Sequence, residues 1–303
     1  MEVGVVGASG FVGSAVSDVL VSEGHLVRKI RAPRVQGESE IGRAVVSFLP
    51  EIRGLDVLVN CAGVPDAGGS DLELLMAGNA YSAEVVARAV VMGGINRLVH
   101  VSSATVQGRA EVLDDSLQVF GSTPYAISKS EGERRVLSNC PLAVVYRPPG
   151  VHDSARAVTR SLVRIASSPL SAVGGSGDGP TPLALLPNVA SAISFLAQSQ
   201  KIPPPVVAHP WEGLTVRGLL ESMGGRDPIR VPLVLARGIL KLGFMFGSWS
   251  PPVFAVSRRL ELLWFGQRQG ESWLEQQGWV PPVGLIGWVH LGRAIRESSR
   301  KIG

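Results

Sequence analysis

The sequence predicts an α/β protein: a Rossmann-like doubly wound parallel sheet followed by a smaller C-terminal portion. Three observations carry this expectation. Strand-like apolar runs at residues 2–7, 25–31, 57–61, 97–101 and 142–146 alternate with helix-like segments at 12–22, 80–92 and 125–138. That is the rhythm of parallel strands joined by right-handed crossovers. Three glycines, Gly7, Gly10 and Gly13, stand where the first run gives way to the first helix. Beyond about Pro149 the rhythm loosens into loops such as 174–182 and a proline cluster at 203–205, with short helical stretches between them.

Composition narrows the class. At 303 residues, 45% hydrophobic and with a mean hydropathy of +0.24, the chain buries a sizeable core and is not disordered. The formal charge of +4, from 29 basic and 25 acidic residues, comes without a long Lys/Arg run, which argues against nucleic acid and suits an anionic small molecule. Cys61 and Cys140 show neither metal-ligand spacing nor a disulfide framework. A reducing, cytoplasmic setting and no metal are therefore expected. Residues 1–6 enter a strand without the basic region of a secretory signal, and no run of 18 uncharged apolar residues occurs. The most apolar late stretch, 231–246, is interrupted by Arg237 and Lys241. Packing against a core or a substrate lid is expected for it, in preference to a helix lying at a membrane surface.

The run Gly7-Ala8-Ser9-Gly10-Phe11-Val12-Gly13 opens the first helix. Glycine there permits a tight turn, close approach to a pyrophosphate and tight helix–strand packing, and the helix N-terminus faces the phosphates. A dinucleotide is the ligand this context implies, with Gly7, Ser9, Gly10, Phe11, Val12 and Gly13 around it. The residue ending the second strand discriminates between dinucleotides, because a carboxylate there accepts from a ribose 2′-hydroxyl and repels a 2′-phosphate. Here it is Arg31, with Arg28, Lys29 and Arg34 close by. NADP(H) is expected over NAD(H), through Arg31 and Arg34.

Tyr125 and Lys129 are four apart on a helix and share one face. A neighbouring cation stabilises phenolate, which makes Tyr125 a usable general acid or base, and Lys129 also reaches a nicotinamide ribose. Ser102-Ser103 follows the fourth strand, at the end of a parallel sheet where ligands sit, and Ser103 is suited to donate to a substrate carbonyl. Thr123-Pro124 reads as a helix cap followed by proline at the first helical position.

The glycine loop, the Ser-Ser-Ala-Thr-Val segment 102–106 and the Tyr-x-x-x-Lys pair resemble, in order and spacing, the extended short-chain dehydrogenases/reductases. The resemblance covers at least residues 1–151 and looks closest to the NAD-dependent nucleotide-sugar epimerase/dehydratase branch, which includes sugar 4-ketoreductases. It implies an enzyme with Ser103, Tyr125 and Lys129 as its catalytic set. It also implies that Cys61, Ala62 and Gly63 lie along the cofactor, that Pro148 and Val151 pass the nicotinamide, and that Asn79 stands behind the active site, where helix capping is an equal alternative. Residues 1–150 would then bind NADP and hold the catalytic set, and 151–303 would mainly bind substrate, across an interleaved boundary. In this family the apolar helices 80–92 and 125–138 often pair across a two-fold axis, so a homodimer is expected.

The departures bear on the reaction. Family dehydratases carry an acidic pair after the catalytic hydroxyl residue, where this chain has Ala104 and Thr105, so dehydration is disfavoured. Gln107 replaces a frequent family tyrosine, and Thr181 stands where an arginine would clamp a diphosphate, leaving Arg160, Arg164 or Arg217 as substitutes. Packing is expected of the late aromatics Trp249, Trp264, Phe265, Trp273, Trp279 and Trp288. The expected function is an NADPH-dependent ketoreductase acting on a 4-keto nucleotide sugar or related carbonyl compound. The alternatives are a nucleotide-sugar epimerase and a non-catalytic NADP-sensing protein.

Overall fold

The computed structural model describes residues 1–65, 71–247 and 249–302. The chain forms two compact units that exchange segments. The first holds Met1–Pro149, Leu186–Pro210 and Glu271–Pro282; the second holds Gly150–Leu185, Trp211–Gly270 and Val283–Gly303.

The first unit is built on strands β1 (Glu2–Val6), β2 (Leu26–Ile30), β3 (Val57–Asn60), β4 (Arg97–Val101), β6 (Ala143–Arg147) and β10 (Val206–Ala208), with a short β5 (Val112–Leu113) outside the main sheet. The main sheet has six strands in the order β10-β6-β4-β3-β1-β2, and every pairing is parallel. Valine-rich β3 and β6 are buried throughout, as strands covered on both faces must be. Helices α1 (Phe11–Ser22) and α7 (Leu186–Gln198) pack together, and α7 lies on β3 and β4. Helices α2 (Ile41–Ile52), α4 (Ser82–Met92) and α5 (Pro124–Asn139) pack in succession, α4 also lying on β3 and β4. Helix α2 is not among the segments named from sequence; it carries Pro50 inside it, and its buried stripe of Ile41, Val45, Phe48 and Ile52 keeps helical spacing. Short α3 (Leu72–Met76) continues through a π turn, Ala77–Tyr81, into α4, and α11 (Trp273–Gln276) is held by Asp115, which accepts from Trp273 N at 2.8 Å.

The chain leaves β2 and crosses back past β1 to β3, so its connections diverge between β1 and β3. The crevice at the carboxyl ends of these strands is the ligand position in such sheets.

In the second unit, β7 (Gly150–His152) pairs in parallel with β9 (Leu183–Leu185), and β8 (Ala172–Gly174) with β11 (Ile229–Val231). Helices α6 (Ala157–Ser167), α8 (Val216–Gly224) and α12 (Ile286–Ile302) surround a core that includes Val163, Leu219, Leu220, Met223 and Trp288. A helical pair, α9 (Leu233–Gly247) and α10 (Pro251–Phe265), and a short strand β12 (Arg268–Gln269) complete it. The expected core packing of 231–246 holds for one edge only: Ala236 and Leu240 are buried with Trp264, while most other α9 positions face out. Likewise, Trp288, Trp264 and Trp279 pack inside, but Trp249 is 86% exposed. No helix among the described residues is long and apolar enough to cross a membrane.

Candidate active site

The first strand's exit sets the site. Gly7 N donates to Ile30 O at 3.0 Å, Gly10 N to Gly7 O at 2.9 Å, and Cys61 N to Val6 O at 3.0 Å, so the ends of β1, β2 and β3 are knotted together. Gly7 has φ +77°, and a Cβ there would lie 2.9 Å from Ala62 N. A Cβ on Gly13 would lie 2.2 Å from Gly7 O, so only glycine lets α1 start this close to the turn. Gly10 caps α1 without a side-chain bond, while Ser9 and Gly10 are exposed and Phe11 and Val12 half-buried. These backbone approaches fit the pyrophosphate of a dinucleotide.

Arg31 directly follows Ile30, whose carbonyl Gly7 occupies. Arg31 and Arg34 are exposed and line one open groove together with Lys29 and Arg43 of α2. Arg43, twelve residues beyond Arg31, was not visible as part of this cluster from sequence. Glu40 lines the groove as well, with its carboxylate accepting from Gln36 N at 2.9 Å.

At the end of β3, buried Asn60 accepts from Ala62 N at 3.1 Å and donates to His100 Nδ1 at 3.2 Å. That polarity assigns the His100 proton to Nε2, which is buried without a hydrogen-bond partner. Burial, and then the Lys129 charge, push the His100 pKa down to about 3, so the ring is neutral. Burial drives the Cys61 thiol up to about 12, so it is no nucleophile. Among the described residues no His/Cys/Asp/Glu group is arranged to hold a metal ion.

Gly63, Asn79 and Lys129 converge. A Cβ on Gly63 would come within 2.7 Å of Asn79 Oδ1 and 3.4 Å of Lys129 Nζ. Asn79 is not a helix cap: it sits inside the π turn, accepts from Val64 N at 2.9 Å, and donates to Ser128 Oγ at 3.0 Å. Ser128 in turn donates to Tyr125 O at 2.8 Å. The π turn thus braces the loop after β3 and the first turn of α5 at once, a frequent use of such turns. A Cβ on Gly132 would lie 2.2 Å from Asn79 O, so glycine there lets α5 close on the turn.

Helix α5 begins as its sequence signals, Thr123 Oγ1 accepting from Ala126 N at 3.2 Å with Pro124 next. Tyr125 is half-buried at the exposed end of the face that carries Lys129. Lys129 is 5% exposed, donates to Val101 O at 2.9 Å, and has its pKa lowered to about 8 by burial, against the opposing pull of Glu133 and Cys61. Half-buried Ser103 accepts from Thr105 Oγ1 at 2.9 Å and from Thr105 N at 3.3 Å, which leaves its own proton to donate elsewhere. Pro148 is buried, and its carbonyl accepts from Ala104 N at 2.9 Å, tying the end of β6 to the Ser103 segment. Val151 lies in β7 of the second unit, 7% exposed.

Glu133 and Arg147 stand behind this set. Glu133 is 3% exposed; it accepts from Ser102 Oγ at 2.5 Å and from Nε and Nη2 of Arg147, at 3.0 and 2.6 Å. Its place one turn beyond Lys129 was the available signal. Gln107, which replaces a frequent family tyrosine, is 2% exposed with both ends of its amide bonded to Asp114. In the second unit, Arg217 is paired with Glu221 and Asp227, and Arg160 with backbone carbonyls.

Residues 3–141 match the model described as the NAD dependent epimerase/dehydratase family. No curated protein matches the sequence significantly. Solved structures do. A dTDP-4-dehydrorhamnose reductase from Bacillus anthracis, in complex with NADP, has a TM-score of 0.65 at 16% identity, over 96% of this chain and 98% of its own. A UDP-glucuronic acid 4-epimerase from Bacillus cereus, in complex with NAD, has a TM-score of 0.66 at 16% identity, over 98% and 99%. Pal from Bacillus thuringiensis has a TM-score of 0.69 at 17% identity, over 98% and 99%. At these identities the likeness is one of fold.

Proposed function

From the match of residues 3–141 to the NAD dependent epimerase/dehydratase family model, we propose that the chain is an NAD(P)-dependent enzyme of the extended short-chain dehydrogenase/reductase type, an NADPH-dependent ketoreductase acting on a 4-keto nucleotide sugar or related carbonyl compound. The observation that carries the reading is the cationic groove beside the glycine turn. Four cations, Lys29, Arg31, Arg34 and Arg43, outnumber the two acids that also line it, Glu40 and Glu51, and Arg31 stands where an NAD-specific site offers an acid. NADPH serves best as an exchanging reductant, whereas an epimerase retains its cofactor and regenerates it in each cycle.

When bound, the cofactor supplies hydride to the carbonyl carbon. The chain's own residues handle the oxygen. Ser103 donates its hydroxyl proton in a hydrogen bond to the carbonyl oxygen, polarising it, and Thr105 fixes the direction of that donation. Tyr125 delivers a proton from its hydroxyl to the same oxygen as charge develops there. The Lys129 ammonium stabilises the tyrosinate left behind and contacts the nicotinamide ribose. Asn79, bonded to Ser128 and across from Gly63, keeps that part of α5 in place. The absence of an acid at Ala104 and Thr105 supports reduction over water loss.

The substrate role falls to the second unit. A cytoplasmic homodimer paired through α4 and α5 completes the reading. The test is NADPH oxidation, followed by absorbance, with a panel of 4-keto nucleotide sugars. Turnover with one of them and none with the corresponding 4-hydroxy sugars supports a reductase. Tightly copurifying NAD and interconversion of hydroxy sugars without added cofactor would replace it with an epimerase.

A further inference from the structure

The α9–α10 pair presents an apolar and cationic surface that the proposed reaction does not use. Along α9 only Ala236, Leu240 and Gly247 are buried. Facing outward are Val234 (87% exposed), Leu242 (54%), Met245 (53%), Phe246 (55%), Trp249 (86%) and Val256 (62%). Six large apolar side chains so placed in one helical pair far exceed the scattered exposure of an ordinary surface. Between residues 228 and 260 there is no Asp or Glu, while Arg230, Arg237, Lys241, Arg258 and Arg259 all fall there. Arg237, Lys241 and Arg259 are exposed and, among the described residues, have no ion-pair partner, in contrast to the exposed arginines Arg134 and Arg293, each paired with a glutamate.

We propose that the α9–α10 pair docks on an anionic phospholipid surface, with Leu242, Phe246 and Trp249 entering the interface and Arg237 and Lys241 meeting the headgroups. Charge decides the occupant. A protein partner would have to bring acids to match these cations, whereas an acid-free stretch of cations interleaved with apolar residues directly complements an anionic bilayer. Tryptophan at the turn between the helices suits the headgroup boundary, where its ring is half in hydrocarbon and half in water. At 15 residues each helix is about 22 Å long, too short to span a hydrocarbon core of about 30 Å, so the pair lies along the surface.

The test uses the full chain with phosphatidylcholine vesicles, with and without phosphatidylglycerol, in co-sedimentation. Binding should require phosphatidylglycerol, weaken with salt, and shift Trp249 emission to the blue, a shift that Trp249→Phe removes. R237E/K241E and, separately, L242S/F246S should each lower vesicle partitioning at least tenfold. All four positions are exposed or lie on the outer face, so thermal melting should be unchanged. Absence of binding to phosphatidylglycerol vesicles, or binding that neither double variant affects, overturns the proposal. So does a vesicle-free dimer that L242S/F246S converts to monomer, because a second copy would then cover the face.

Discussion

The Arg147 guanidinium donates to both carboxylate oxygens of Glu133, at 3.0 and 2.6 Å, while Glu133 also receives the Ser102 hydroxyl. One buried carboxylate therefore joins the end of β6, the residue before Ser103, and the helix turn below Lys129. Glu133→Gln leaves a buried guanidinium without a countercharge, which typically costs about 3–5 kcal/mol of stability. Denaturant melts should read that loss. Chemistry should shift as well, because the Glu133 charge holds the Lys129 pKa up.

The pH dependence follows from Lys129. Its pKa falls from 10.5 to about 8 on burial. Between these values the unfolded chain binds the proton that the folded one has lost, so this group's contribution to stability rises with pH there. Activity runs the other way: the ammonium is needed beside Tyr125, so ketone reduction should decline above about pH 8 in the cofactor-saturated enzyme. Glu133→Gln should move that decline to lower pH, whereas a merely structural defect would scale the whole profile down. An unshifted profile contradicts the role assigned to Glu133.

Local sequence carried what local physics decides. The glycine turn, the Thr123-Pro124 start of α5, the Tyr125–Lys129 face and Arg31 at the end of β2 each depend on neighbours within a few residues. The contacts that brace them depend on packing between elements distant in sequence. Glu133 reads as one of several charges on a helix until β6 places Arg147 against it. From sequence, Asn79 stands equally for a residue behind the active site and for a helix cap, because nothing there announces the π turn from which it bonds Val64 and Ser128. The apolar period of α9 looked like a core face, and the structure supplies neighbours for one edge of it only.

Gly13 offers a geometric test of the cofactor cradle. An alanine Cβ would stand 2.2 Å from Gly7 O, so α1 and the turn must separate. Gly13→Ala should lower dinucleotide affinity by more than tenfold, measured by fluorescence titration, and lower the melting temperature. Gly42→Ala, whose Cβ would meet nothing within 4 Å, serves as the neutral control.

Cofactor choice tests Arg31. A charge-assisted contact to a 2′-phosphate is worth about 1.5–3 kcal/mol, or roughly ten- to a hundredfold in affinity. NADPH should bind that much more tightly than NADH, and Arg31→Asp should reverse the order. Arg43→Ala should weaken NADPH and leave NADH unchanged. Equal affinities in the wild type would remove the argument for NADP.

Tyr125 bears the central claim, and single-turnover hydride transfer from NADPH to an accepted ketone tests it most directly, with NADPH affinity measured in parallel. Tyr125→Phe removes one hydroxyl from a half-buried helix position, so fold and cofactor binding should persist. The rate should fall by about a hundred- to ten-thousandfold, the amount one general acid supplies. Lys129→Met should also weaken NADPH binding, and Ser103→Ala should cost less than Tyr125→Phe because water partly replaces its hydrogen bond. A Tyr125→Phe enzyme that transfers hydride at the wild-type rate while binding NADPH normally would contradict the account.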